Sequence, residues 1–401
     1  MNEDLAKALG ERVRFARHAN RQTQAVVAGL SGITTDYLYQ IERGKKLPAV
    51  PVITLLARAL KVSVSELLGE VPPPARVPAP LEAGAAIHRA LTRPIVDEEA
   101  PTASELRGRI YAAWQTWQSS RERYTKLGAE LPYVITDTER LVRRTRGEHP
   151  ADHHQALGYA VDLYGLVRTV AKRVGRTDLA LLAADRGMRA AETAGDPIRL
   201  ASARWNLAHA LLAQGQPDGA EAIALHGAEA LEDLSGDSLD ALALQGSLRL
   251  LTAVASVRHG DVWTARDRVR EVVPMAARTG ERNVGWTVFG PTNVAMYAVS
   301  VEVEAGEAGE GLRLAEQVEP DPGLSIERRV AFRLEQARGY TQRHDYGAAL
   351  VILQSVSAEA PEDLKYRPAA RAALNEVVHR ARGGVGREAA RLAGRVGISI
   401  A

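Results

Sequence analysis

Apolar residues recur every three or four positions along nearly the whole chain, the spacing of helices that bury one face. Leu9, Val13 and Ala16 mark the first such face, and Gly29 and Gly32 then bracket a tight connection between two short segments at 23–29 and 34–42. Two short helices across a tight turn have the spacing of a helix-turn-helix. Gly44 and Pro48 end the second of them, and 50–60 and 63–68 supply two more apolar faces, so a bundle of five short helices is expected over 1–70. At 71–80 the sequence VPPPARVPAP carries five prolines in ten residues, which forbids a continuous helix and favours an extended spacer. A short helical patch can follow at 81–92, but Pro94, an acidic run and Pro101 extend the linker to 71–101. The body is then 102–401.

The body repeats itself. A Gly followed five residues later by a small residue occurs at Gly175/Ala180, Gly215/Ala220, Gly260/Ala265 and Gly306/Gly311, and His344/Ala349 keeps the register without the Gly. The intervals are 40, 45, 46 and 38 residues. Each pair fits the corner of a helical hairpin, where Gly ends one helix and the small residue lets the next pass closely. Such a unit cannot bury its apolar face alone, so neighbours stack into a superhelix with a concave surface lined by the first helix of each pair.

Composition agrees with an all-α fold: 46% of the 401 residues are hydrophobic but only 3 are Phe, so Ala, Leu and Val must build the core. The absence of Cys removes disulfides, thiolate metal sites and Cys nucleophiles, and is compatible with a cytoplasmic location. Apolar runs are broken well before the roughly 18–20 residues a membrane span needs, so no membrane partner is expected. Residues 1–70 hold ten basic and seven acidic side chains, whereas the rest is slightly acidic. The small basic part is the one to examine for a polyanionic partner.

The segment TQAVVAGLSGITTDYLYQIERGKK at 23–46, preceded by Arg17 and containing Ile41, Glu42 and Gly44, resembles the helix-turn-helix of the Xre, phage-repressor-like family. Ala28 is small where two helices cross, Gly32 allows the turn, Ile33, Leu38 and Ile41 fill the core, and the resemblance implies a structural ion pair between Arg17 and Glu42. The resemblance implies double-stranded DNA as partner, with Gln24 on a phosphate at the start of the second helix and Thr34, Thr35, Asp36, Tyr39 and Gln40 on the recognition helix. Gln40 suits adenine, Asp36 cytosine N4 and the Thr35 methyl a thymine methyl, while Arg43, Lys45 and Lys46 follow where phosphates pass. Where the family carries an acidic residue and Leu, this chain has Val26 and Val27.

The corner around Asn206, Leu207, Leu211, Gly215 and Ala220 resembles a tetratricopeptide repeat, and GWTVFGPTNVAMYAV at 285–299 resembles a block of Xre-type regulators with tetratricopeptide-like bodies. The plan is shared with peptide-sensing regulators of quorum systems. It implies a cytoplasmic transcriptional regulator whose body dimerises on an inverted-repeat operator and senses a peptide or small molecule. The alternative is a protein–protein adaptor that uses the body's groove, with DNA binding auxiliary. For an effector, Asn206, Gln245, Arg249 and Asn293 offer amide and guanidinium groups, and Trp286 and Tyr297 aromatic walls; Arg204 and His209 read as surface.

Catalytic machinery is not visible, and neither a cofactor nor a metal is expected. Gly384-Val385-Gly386 imitates a dinucleotide fingerprint without the strand before it or the acidic residue about 20 positions after it. His153 and His154 are adjacent, about 100° apart on a helix, and lack metal-ligand spacing.

Overall fold

The structure is a computed structural model that describes residues 2–20, 22–60, 62, 64–68, 80–93, 99–318 and 323–398. The chain divides into two compact units, Met1–Pro78 and Ala79–Ala401. Among the described residues there is no strand, only a single β-bridge between Arg282 and Phe289.

The head contains α1 (Asn2–Ala19), α2 (Gln24–Leu30), α3 (Thr35–Glu42), α4 (Val50–Leu60) and α5 (Val64–Leu68). Leu9 and Val13 of α1, Val27 and Ala28 of α2, Leu38 and Ile41 of α3 and Leu56 and Leu60 of α4 meet in one core. Gly32 turns the chain between α2 and α3 at φ +64°, a region that costs a residue with a Cβ but not Gly. Val26 is exposed beside the buried Val27.

The body opens with α6 (Pro80–Thr92), α7 (Ala103–Ser119) and α8 (Arg123–Thr145). Within the proline-rich stretch, residues 71–79 lie outside the described residues, whereas α6 buries Ile87 and Leu91 in the same core as Leu106, Leu131 and Leu157. Five hairpins follow: α9 (Pro150–Arg173) with α10 (Thr177–Ala194), α11 (Pro197–Ala213) with α12 (Pro217–Glu229), and, after the short α13 (Glu232–Ser235), α14 (Leu239–Arg258) with α15 (Val262–Thr279). Then come α16 (Pro291–Glu304) with α17 (Ala308–Ala315) and α18 (Ile326–Gln342) with α19 (Tyr346–Glu359). Three helices close the unit, α20 (Pro361–Tyr366), α21 (Pro368–Arg380) and α22 (Gly383–Val396). Gly384 and Gly386 lie in the first turns of α22, a helix after a helix and not a strand-to-helix crossing.

All five corners have the same build. Gly175, Gly215, Gly260 and Gly306 stand at φ +79°, +71°, +83° and +86°, and His344 holds the equivalent place at φ +58°. The residues five positions on, Ala180, Ala220, Ala265, Gly311 and Ala349, are buried where paired helices cross. The first helix of each pair touches the first helix of the next, from α9 through α11, α14 and α16 to α18, and forms the inner layer. An inner helix is apolar on several faces, as α14 is with fifteen of its twenty residues buried. The row also meets itself, because α7 packs on α18 and α8 on α20. Arg121 donates to the Ala358 carbonyl at 2.6 Å, and Glu362 accepts from the Tyr124 amide at 2.8 Å.

Candidate nucleic-acid interface

Local chemistry sets the ends of α2 and α3. Thr23 and Thr34 sit in extended backbone just before each helix, and their hydroxyls accept from the amides of Val26 and Tyr37 at 3.3 and 3.2 Å. Thr34 is therefore the cap of the recognition helix. Thr34→Ala should cost the head about 1 kcal/mol, visible as a lower denaturant midpoint for operator binding.

Burial of Leu38 and Ile41 fixes how α3 faces outward. Thr35, Asp36 and Tyr39 are exposed and Gln40 half-buried on the opposite side. Gln40 Nε2 donates to Asp36 Oδ2 at 2.7 Å, so in the free protein the two polar readers are held together. The Arg43 guanidinium lies 5.6 Å over the Tyr39 ring and the Lys46 ammonium 5.7 Å over Tyr37, while Lys45 is exposed. These cations extend the same face.

Behind them Arg17 grips Glu42 in a two-point pair, Nε to Oε1 at 2.6 Å and Nη2 to Oε2 at 2.9 Å. Gln24 Nε2 donates to the same Glu42 oxygen at 2.7 Å, which ties the start of α2 to the end of α3. Burial alone would raise the Glu42 pKa, but the hydrogen bonds from Arg17 and Gln24 and the Arg17 charge hold it below the usual range. The stabilisation is therefore present at neutral pH and is lost as pH falls through that depressed value; acid titration of DNA binding should follow it. An open groove of about 720 Å³ lies over this junction, lined among others by Arg14, His18, Gln24, Tyr39 and Arg43. Its size, cationic rim and position beside α3 suit a passing phosphate backbone.

An exposed helix held across a tight turn, flanked by cations and buttressed by a buried ion pair, defines a helix-turn-helix DNA-binding head. Residues 8–68 match the family model described as a helix-turn-helix domain. The control protein C.SmaI of Serratia marcescens is 34% identical over 65 residues, which are 16% of this chain and 77% of that protein. The chain belongs to the Xre-like helix-turn-helix family of DNA-binding regulators. Among solved structures, Bacillus thuringiensis PlcR in complex with the peptide PapR7 and DNA aligns with 68% of this chain and 97% of its own, at 14% identity and a TM-score of 0.29. Apo ComR from Streptococcus vestibularis aligns with 98% of this chain and 100% of its own, at 11% identity and a TM-score of 0.25.

In the body the six residues expected at an effector are not brought together. Asn206 is buried, its Oδ1 accepting from Arg168 Nε at 2.8 Å and its Nδ2 donating to the Ser202 carbonyl at 2.9 Å. Gln245 is buried and donates to the Ala228 carbonyl at 3.1 Å, and Asn293 is buried and donates to the Val288 carbonyl at 2.7 Å. Arg249 reaches Glu232 at 3.5 Å. The Asn206 and Gln245 amides are thus engaged by Arg168 and backbone carbonyls, while Asn293 donates to a carbonyl and keeps a buried Oδ1 without a partner. Trp286 and Tyr297 do line two adjoining cavities, one each, whose walls share Lys172, Arg173, His209 and Arg328.

His209, which reads as surface, lines both cavities, and burial followed by the charges of Lys172 and Arg168 pushes its pKa well down. Arg168 and Lys172 are the residues that sequence reasoning passed over. Their signal is visible in retrospect as two cations one turn apart on α9, a helix otherwise apolar on almost every side. Among the described residues no cluster of His, Asp and Glu could hold a metal ion, and no helix is long and apolar enough to cross a membrane.

Proposed function

We propose that the chain is a cytoplasmic, sequence-specific transcriptional regulator that dimerises through its helical-hairpin body on an inverted-repeat operator and responds to a peptide or small-molecule signal. The observation that carries the reading is the outward face of α3, where Thr35, Asp36, Tyr39 and Gln40 stand clear of the core beside Arg43, Lys45 and Lys46. In this reading Gln24 leaves Glu42 for a phosphate, Asp36 and Gln40 exchange their mutual hydrogen bond for base edges, and the Thr34 hydroxyl stays on its amide. One head with an excess of only three basic residues binds weakly, so two heads on half-sites roughly 34–36 Å apart, or a multiple of that, supply the affinity. Proline-rich residues 71–79 connect head and body, and an effector in the body would act by re-spacing the two heads.

The test is a salt-dependent titration against DNA upstream of the chain's own gene. Gln40→Ala should relax discrimination at one base position by roughly 1–3 kcal/mol with little change in non-specific binding. Lys45→Ala should weaken all sequences alike and reduce the salt slope by about 1. Equal binding to all sequences by the wild-type chain would remove the sequence-specific reading.

A further inference from the structure

The inner layer of the body lines a partly open cavity of about 170 Å³ that adjoins a smaller one of about 50 Å³, the two sharing Lys172, Arg173, His209 and Arg328 as walls. Together they present six cationic side chains against three carboxylates. The imbalance is sharper once partners are assigned. Arg173 is paired with Glu327, Arg258 lies 3.4 Å from Glu304, and Arg367 lies 3.7 Å from Asp363. That leaves Arg168, Lys172 and Arg328 without a carboxylate partner among the described residues. Arg168 is 3% exposed and leans on the neutral Asn206, with its guanidinium 5.0 Å over the Trp205 ring. Lys172 has His209 Nδ1 at 3.2 Å, and Arg328 has the Thr287 carbonyl at 3.3 Å with a buried Nε that has no partner.

Burying an unpaired charge is expensive, and the strain shows in the groups themselves. Burial, then the charge of Arg173, pushes the Arg168 pKa down to about 9. Burial and the charges of Arg173 and Arg168 push Lys172 well below its ordinary value. An interior that needed only packing would place apolar residues here.

Independent of charge, part of the wall of the smaller chamber comes from a backbone held out of its preferred conformations. Trp286 and Val288 adopt φ +64° and +54°, unfavourable for any residue with a Cβ and most of all for a β-branched one. That conformation stacks Trp286 on Trp114 at 4.9 Å and brings Val288 to the smaller chamber. The larger chamber also has an apolar wall, made by Leu212, Val254, Met296 and Phe332, while its carboxylates Glu304 and Glu335 lie near Arg258 and Arg338.

We infer that this lumen binds a small organic anion, whose carboxylate or phosphate sits where the chambers meet on Arg168, Lys172 and Arg328, and whose apolar part fills the larger chamber. The inference deepens the sensing role proposed above and depends on it only for the link to DNA. An anionic group supplies the partner that the three cations lack, and its charge-assisted hydrogen bonds form out of water, where they are strongest. The volume suits a molecule of the size of an aromatic acid and not an extended peptide.

The test uses the full chain and three probes at matched ionic strength: benzoate, phenyl phosphate and the neutral benzamide. Thermal unfolding is followed by Trp emission, to which Trp114, Trp117, Trp205 and Trp286 around the smaller chamber contribute. Expected is a rise in melting temperature that grows with the logarithm of anion concentration, absent with benzamide. Whether benzoate or phenyl phosphate is the stronger distinguishes a carboxylate from a phosphate ligand. Lys172→Met and Arg328→Gln should each weaken the anion effect about tenfold or more. Lys172→Met without ligand should unfold no earlier than the wild type, so loss of response is not loss of fold. An equal response to benzamide, no response to either anion, or an undiminished response in both variants overturns the site. Operator titration separates the two readings. Anion binding without a change in DNA affinity keeps the site and removes the sensing role; a low-molecular-weight culture fraction that changes DNA affinity equally in wild type and Lys172→Met keeps sensing and overturns the site.

Discussion

Asp363→Ala should destabilise the body by about 3–5 kcal/mol, the cost of removing one partner from a buried ion pair. The side chains of Arg123 and Asp363 are each 1% exposed, and Arg123 Nη2 meets Asp363 Oδ2 at 2.5 Å. Tyr124 donates its hydroxyl to the other carboxylate oxygen at 3.2 Å. Two guanidinium nitrogens of Arg123, Nε and Nη1, already have no hydrogen-bond partner, and among the described residues Asp363 is the carboxylate in ion-pair contact with this charge. The rings of Trp117 and Tyr124, 5.0 and 5.6 Å away, would remain beside it but supply no compensating charge. Because α8 and α20 lie at opposite ends of the hairpin row, the substitution should also loosen the closure of the inner cavity. All five Trp lie in the body, so their emission during urea unfolding reports this unit alone. Asp363→Asn keeps the shape and one hydrogen bond and should lose less. Arg123→Met with Asp363→Leu should recover only part of the loss: it removes the stranded Arg123 charge, but Arg367, 3.7 Å from Asp363, and the Tyr124 hydroxyl still lose their partner. An unchanged midpoint in Asp363→Ala would show that the pair contributes nothing.

The parts of this architecture legible in sequence are those set by local backbone chemistry. Gly32 marks its turn because only Gly enters left-handed backbone freely, and the five hairpin corners follow from the same rule. His344 shows the limit of that rule: it adopts φ +58° without being Gly, with Nδ1 3.0 Å from the Tyr346 hydroxyl, and only its register with the other corners reveals it. The Arg17–Glu42 pair was legible through resemblance to a known motif, not through spacing. Partner choice in the body was not legible. Helical periodicity places Asn206 and Gln245 on a helix but does not say whether their amides meet solvent, Arg168 or a neighbouring carbonyl. Nor does it announce that Trp286 reaches Trp114, since that contact depends on two residues in unfavourable backbone conformations. The helix over 80–92 shows a related limit, because a short apolar face after a run of prolines reads equally as linker or as the edge of a core.

Gly10→Ala is expected to abolish operator binding with little effect on the body. A Cβ at Gly10 would stand 2.2 Å from the Ile41 carbonyl oxygen and 3.1 Å from the Glu42 carbonyl carbon and oxygen, so the obstacle is backbone and not the tip of a mobile side chain. Relief requires α1 and the end of α3 to separate, and that end of α3 carries Glu42, to which Arg17 and Gln24 are both attached. Overpacking of this kind costs typically 1–3 kcal/mol and more where the backbone cannot yield. The head is a small unit with little stability to spare, so a loss of about 3 kcal/mol or more would leave much of it unfolded. Gly29→Ala is the matched control: it lies within α2, its φ is not positive, and an added Cβ meets nothing within 4 Å. That substitution should stabilise the head by roughly 0.4–1 kcal/mol and preserve DNA binding. Trp emission should be the same in both variants, which assigns the loss to the head. Wild-type operator affinity and denaturant midpoint in Gly10→Ala would mean that α1 and α3 are not in backbone contact, and the tight placement of the recognition helix argued from that contact would fall with it.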